Sequence, residues 1–192
     1  MKKPMGYDDV HTSGDFTPIE LGGHTAVIKR VKETTSRNGK PMLQVAIDFD
    51  ANDSQSNYFM TMFQNDTRED KKWSYLGTQY ILTEDDQGRC SRSFKSFITS
   101  VENSNNAECV WGDGFERWFT NKKIGVVFGE KEEEYNGEIK TRRRIRYFCS
   151  YDKAKDAAIP NKIFLNISQP VSNTNAGGFV NIPESTDEEI PF

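Results

Sequence analysis

The sequence predicts an all-β domain with one main helix, followed by a disordered C-terminal tail. Three observations predict it. Apolar residues alternate with polar ones along several short runs bounded by turn residues, which is the period of a half-buried strand. One stretch only carries a helical stripe of apolar side chains. Beyond Pro160 the composition turns to Asn, Ser, Thr, Gly and Pro with scattered apolar residues, too few to offset the entropy of ordering.

In chain order, residues 1–22 read as an irregular lead-in. Thr25 to Glu33 is rich in β-branched residues and reads as the first strand. The turn Ser36-Arg37-Asn38-Gly39-Lys40-Pro41 leads to Met42–Asp50, where Leu43, Val45, Ile47 and Phe49 alternate. Tyr58 to Gln64 reads as a third strand with two apolar faces. Tyr80 to Thr83 reads as a short edge segment. Ser91 to Asn103 is the main helix, because Phe94, Phe97, Ile98 and Val101 fall at i, i+3, i+4 and i+7. Phe115 to Asn121 reads as a short second helix. Lys123–Tyr135 and Glu138–Ser150 then form a hairpin across Asn136-Gly137, the strongest local signal in the chain. Tyr151 to Ala158 adds a helical turn or two. Three strands, a helix and two strands is the order of a five-stranded Greek-key barrel, the OB-fold. The expected division is 1–22 lead-in, 23–158 OB-fold domain and 159–192 disordered acidic tail.

The chain has 192 residues and a formal charge of -4. No Lys or Arg follows Asn166, and the acids there are Glu184, Asp187, Glu188 and Glu189. Without those four, 25 of the 29 acids face 25 bases, so the deficit belongs to the tail. A neutral body still accommodates a local basic stripe, and the local field governs phosphate binding. Cys90, Cys109 and Cys149 are far apart, and neither His11 nor His24 lies near one in sequence. That spacing supports neither a zinc site nor a disulfide framework, and no cofactor is expected. The absence of an apolar run near 18 residues and of a signal peptide predicts a soluble, cytoplasmic protein with no membrane partner.

The candidate chemistry is nucleic-acid binding. Strand alternation puts Lys140, Arg142, Arg144, Arg146 and Phe148 on one face of the last strand and Arg143, Ile145 and Tyr147 on the other. The arginines then form a ladder about 7 Å apart, near the spacing of an extended nucleotide strand. Lys29, Arg30 and Lys32 on the first strand are expected to join the same groove. Aromatic stacking platforms complete such a site, and the candidates are Tyr58, Phe63, Trp73, Tyr135 and Tyr147. Phe49 and Phe128 are assigned to the core. The competing reading pairs the arginines with Glu130, Glu132 and Glu134 across the hairpin.

The chain closes on Asp187-Glu188-Glu189-Ile190-Pro191-Phe192. Carboxylates steer it to basic patches, Pro191 lowers the ordering cost and Phe192 anchors. It reads as a partner-docking peptide on a linker of about 27 residues, with a reach of about 27–31 Å. That reach also lets the anionic tail compete with DNA for the basic groove.

These six residues are similar to the acidic tip of bacterial single-stranded DNA-binding proteins. The body resembles single-stranded DNA-binding proteins of phages and prophages through Gly22-Gly23-His24 into Ile28-Lys29, Gly39-Lys40-Pro41-Met42-Leu43, Asn65-Asp66-Thr67-Arg68, and Tyr135-Asn136-Gly137-Glu138 into Thr141-Arg142-Arg143-Arg144. The resemblance implies an OB-fold, oligomerisation, a phage- or prophage-encoded protein in a bacterial host, and a role in DNA replication or recombination with partners held by the tip. Two other readings compete. A metal-dependent nuclease would draw on Asp48, Asp50, Asp53, Asp66, Glu84, Asp85 and Asp86, although no two-metal pattern is evident. An adaptor would use the tail and bind no DNA.

Overall fold

The computed structural model describes residues 2–5, 7, 17–165 and 190–191. The disorder expected over 166–192 and the side chains of the docking peptide fall outside the described residues, apart from the backbone of Ile190–Pro191. Among the described residues no helix is long and apolar enough to cross a membrane.

Five antiparallel strands form one sheet in the order β4-β2-β1-β5-β6. These are β1 (Gly22–Thr35), β2 (Pro41–Phe49), β4 (Thr78–Leu82), β5 (Lys123–Tyr135) and β6 (Glu138–Cys149). A two-residue strand β3 (Lys72–Trp73) pairs with β7 (Ile190–Pro191) in a separate ladder. The helices are α1 (Tyr58–Asn65), α2 (Arg92–Asn105) and α3 (Phe115–Trp118). No ladder joins β4 to β6, so the sheet is open.

The first strand bends to serve two partners. It pairs with β2 along Ala26–Thr35 but with β5 only across Gly22–Val27. A register shift between Ile28 and Arg30 leaves Lys29 as the extra residue of a bulge, which supplies the bend. Gly39 takes the positive φ of the β1–β2 turn, at 74°. Across the second hairpin Asn136 and Gly137 both take positive φ, 53° and 78°, as a two-residue primed turn requires.

The third predicted strand is instead the helix α1. Its sequence YFMTMFQN is apolar at almost every position, so period two and period 3.6 fit it equally. Tertiary contacts decide: the Asp48 carboxylate accepts the Phe59 amide at 2.9 Å, and Phe59 packs on Phe49 and against Gly77. The third strand of the sheet is β4, in the place of the predicted edge segment. The main helix matches expectation. Ser91 accepts the Phe94 amide at 3.1 Å as its N-cap, and Phe97, Ile98 and Val101 are buried. The short helix after Phe115 stops at Trp118 rather than Asn121. Residues 159–165, placed by sequence in the tail, run alongside the body. Ile163 forms a parallel bridge with Lys131 of β5.

The core is strongly aromatic. Phe49 stacks on His24 with centroids 4.2 Å apart and touches Tyr58, Phe59 and Phe128. Phe97, Phe119 and Phe148 form a second cluster under α2. Both Phe49 and Phe128 are buried, as expected.

His24 also contacts Asp53, Nδ1 to Oδ1 2.9 Å, and its Nε2 lies 3.0 Å from the Glu20 carbonyl. Burial pulls the imidazole down. The Asp53 bond, the Glu20 carbonyl and the nearby negative charge outweigh it, so the pKa lies above 6.5. Burial pushes Asp53 up, but bonds from His24 and from the Gln55 and Thr25 amides hold it below 3.8. The raised imidazole stabilises fully below 6.5, and that contribution is lost as pH rises through its folded value. The depressed carboxyl stabilises fully above 3.8, and its contribution is lost as pH falls through its folded value. The pair therefore contributes most between those limits. The thermal midpoint of the native chain is expected to exceed that of His24→Gln by more at about pH 5.5 than at about pH 9. A margin that is constant or grows with pH would refute the assignment.

Candidate nucleic-acid interface

A second bulge organises the basic strand. Phe128 pairs with Ile145 but Val127 pairs with Tyr147, so Arg146 is the extra residue of β6. Side chains of paired residues share a face. Lys140, Arg142 and Arg144 therefore lie on one face with Glu133, Lys131 and Gly129. The extra residue brings Tyr147 onto that same face and turns Phe148 into the core against Phe97, 5.1 Å between centroids. Strict alternation had assigned these two aromatics the other way. Arg146 lies over Gly129, where a Cβ would meet its Cγ at 2.9 Å, and donates to the carbonyls of Glu130 (3.2 Å) and Asn161 (3.0 Å).

Three exposed tyrosines punctuate this face. Tyr135 comes from the end of β5 and Tyr147 from β6, and both are nearly half exposed. The third, Tyr75, comes from a 3-10 turn (Tyr75–Gly77) ahead of β4 and crosses the open side of the sheet to β6. The Arg144 guanidinium lies 4.7 Å over the Tyr75 ring, and Arg142 reaches the Tyr75 hydroxyl at 3.5 Å. Lys140 and Arg142 lie over Tyr135 at 5.6 and 5.8 Å. Sequence reasoning missed Tyr75. Its only local signal is an aromatic next to Ser74, which caps the turn by accepting the Leu76 amide.

The arginines differ in how they are held. Arg144 makes a bidentate pair with Glu133, which is only 8% exposed. Its remaining nitrogen, Nη1, is buried with no hydrogen-bond partner. The expected competition from Glu130, Glu132 and Glu134 takes a different form. Glu133 holds Arg144, while Glu132 pairs with Lys162 at 2.8 Å. Arg143 faces the body and donates to the Ile19 carbonyl. Arg142 and Lys140 are the cations aimed at solvent beside the tyrosines.

Other expected site residues go elsewhere. Lys29, Arg30 and Lys32 occupy the half of β1 that pairs with β2, and no pairing brings them to β6. Lys32 aligns with Gln44 and Tyr80, where the Gln44 amide donates to the Tyr80 hydroxyl at 2.7 Å. Trp73 is 1% exposed, and its indole donates to the Ile47 carbonyl at 3.2 Å, so it offers no stacking face. Phe63 packs beside Trp73, centroids 5.9 Å apart. Tyr58 is half-buried and its hydroxyl donates to the Thr17 carbonyl at 2.8 Å. Burial, opposed in part by Arg143, pushes its pKa up to about 12. Residence in α1 rather than a strand explains the inward turn of Tyr58 and Phe63.

Three of the acids considered for metal chemistry hold other parts of the fold. Asp48 accepts the Phe59 amide in the first turn of α1, Asp50 accepts from Tyr151 and Asp53 holds His24. No protein-family model matches this chain, and no curated protein matches it.

Proposed function

We propose that the protein binds single-stranded DNA without sequence preference on the face built by β5, β6 and the Tyr75 turn. The observation that carries this reading is the interleaving of Tyr75, Tyr135 and Tyr147 with the solvent-facing Lys140 and Arg142 on one surface, where Glu133 holds Arg144 and backbone carbonyls hold Arg146 alongside. Cations meet the phosphates of an extended strand, and the rings stack on successive unpaired bases whatever their identity. Duplex DNA hides those base faces, so the surface favours unpaired strands. The strand order and a helix between the third and fourth strands of the sheet also suit a partly open OB barrel, whose loops and strand faces commonly hold oligonucleotides. The role extends to DNA replication or recombination, with residues 187–192 docking partner proteins.

Titration of the full chain with dT oligomers tests the reading. Binding is expected to be tight at low salt and to weaken at least tenfold between about 50 and about 200 mM, as release of several counterions requires. Oligo-dA and oligo-dC are expected to bind within about tenfold of oligo-dT. Deleting Phe192 is expected to leave the dT affinity unchanged. Failure to bind any unpaired strand at low salt would sink the proposal.

A further inference from the structure

Beyond the hairpin, a single parallel bridge brings residues 161–165 alongside β5. At the level of Glu130–Glu132 the β1 side of β5 is vacated, because β1 ends its pairing at Phe128. Residues 161–165 fill that edge in parallel. The Ile163 amide donates to the Glu130 carbonyl at 3.0 Å, and the Glu132 amide donates to the Ile163 carbonyl at 2.8 Å. Flanking contacts fix the segment. Lys162 meets Glu132 at 2.8 Å and Thr141 at 2.9 Å, the Leu165 amide donates to Glu132 at 3.2 Å, and Arg146 donates to the Asn161 carbonyl.

The bridge sets which side chains face which way. Ile163 is paired with Lys131, so it lies on the face of Lys131 and Arg142, and it is 40% exposed. Its neighbours Lys162 and Phe164 point to the opposite side, where Lys162 reaches Glu132. An aliphatic side chain thus continues the row Arg142–Lys131 by one strand spacing, about 4.8 Å. Phe164 is the more exposed of the two, at 65%, yet it faces away.

We propose that residues 161–165 are the third strand of the DNA-binding face, with Ile163 contacting the sugar or base of a nucleotide whose phosphate meets Lys131 or Arg142. This rests on the proposed single-strand binding. It adds a positioning consequence: the segment leading to the acidic tail is held down when DNA is bound.

The test uses the full chain and dT oligomers. Ile163→Glu sets a carboxylate beside Lys131 and keeps the backbone ladder. It is expected to weaken binding by about tenfold, as loss of one contact and one effective cation implies. Phe164→Glu adds the same charge one residue on, facing away, and is expected to stay within about twofold of the native affinity. On the native chain, dT is expected to slow hydrogen exchange at the Ile163 and Glu132 amides by at least tenfold. Equal losses in both variants, or native affinity in Ile163→Glu, would overturn the proposal, as would exchange that DNA leaves unchanged. Absence of dT binding by the native chain would instead overturn the single-strand reading itself.

Discussion

Replacing Tyr75, Tyr135 and Tyr147 together with alanine is expected to weaken dT binding by at least about a hundredfold. Each ring stacked on a base contributes about 1–3 kcal/mol, so even the lower end summed over three rings reaches that factor. The rings also orient the cations: Arg144 lies over Tyr75, and Lys140 and Arg142 over Tyr135. The fold is expected to survive, because all three side chains are substantially exposed and substitutions of that kind cost little. Fluorescence anisotropy would measure the affinity and far-UV circular dichroism the fold. A folded triple variant that binds within about threefold of the native chain would remove the tyrosine face from the site. The salt dependence is expected to change little, since no cation is removed.

Glu133→Gln separates the structural from the binding role of the arginines. The buried carboxylate takes two bonds from Arg144, whose remaining nitrogen is already buried without a partner. Neutralising the acid leaves a guanidinium charge without its counter-charge in a poorly hydrated place. Breaking a buried pair from one side costs about 3–5 kcal/mol, and the partial exposure of Arg144 moves this to about 2–3 kcal/mol. The thermal midpoint is expected to fall by roughly 4–12 °C for a domain of this size. Affinity for dT is expected to hold or rise, because Arg144 gains freedom to meet a phosphate. A fall in affinity below the unfolding temperature would mean that the ion pair holds the face in its binding shape.

Much of the fold was legible because its signals are local. Asn136-Gly137 dictates a primed turn, and the strands on either side follow from it. The stripe Phe94, Phe97, Ile98 and Val101 dictates α2. The basic character of β6 can likewise be counted directly from its residues.

The second hairpin, the main helix and the richness of arginine on the last strand follow from local order alone, since turn geometry and side-chain periodicity act within a few residues. Long-range packing sets the rest: Tyr58–Asn65 coils into a helix, Arg146 becomes the extra residue that exchanges Tyr147 for Phe148, and Trp73 is swallowed by the core. The same packing brings Tyr75 across the open sheet and lays Ile163 beside Lys131. Each of these depends on which distant surface is left to be covered, and an apolar run that satisfies two periods carries no record of that choice.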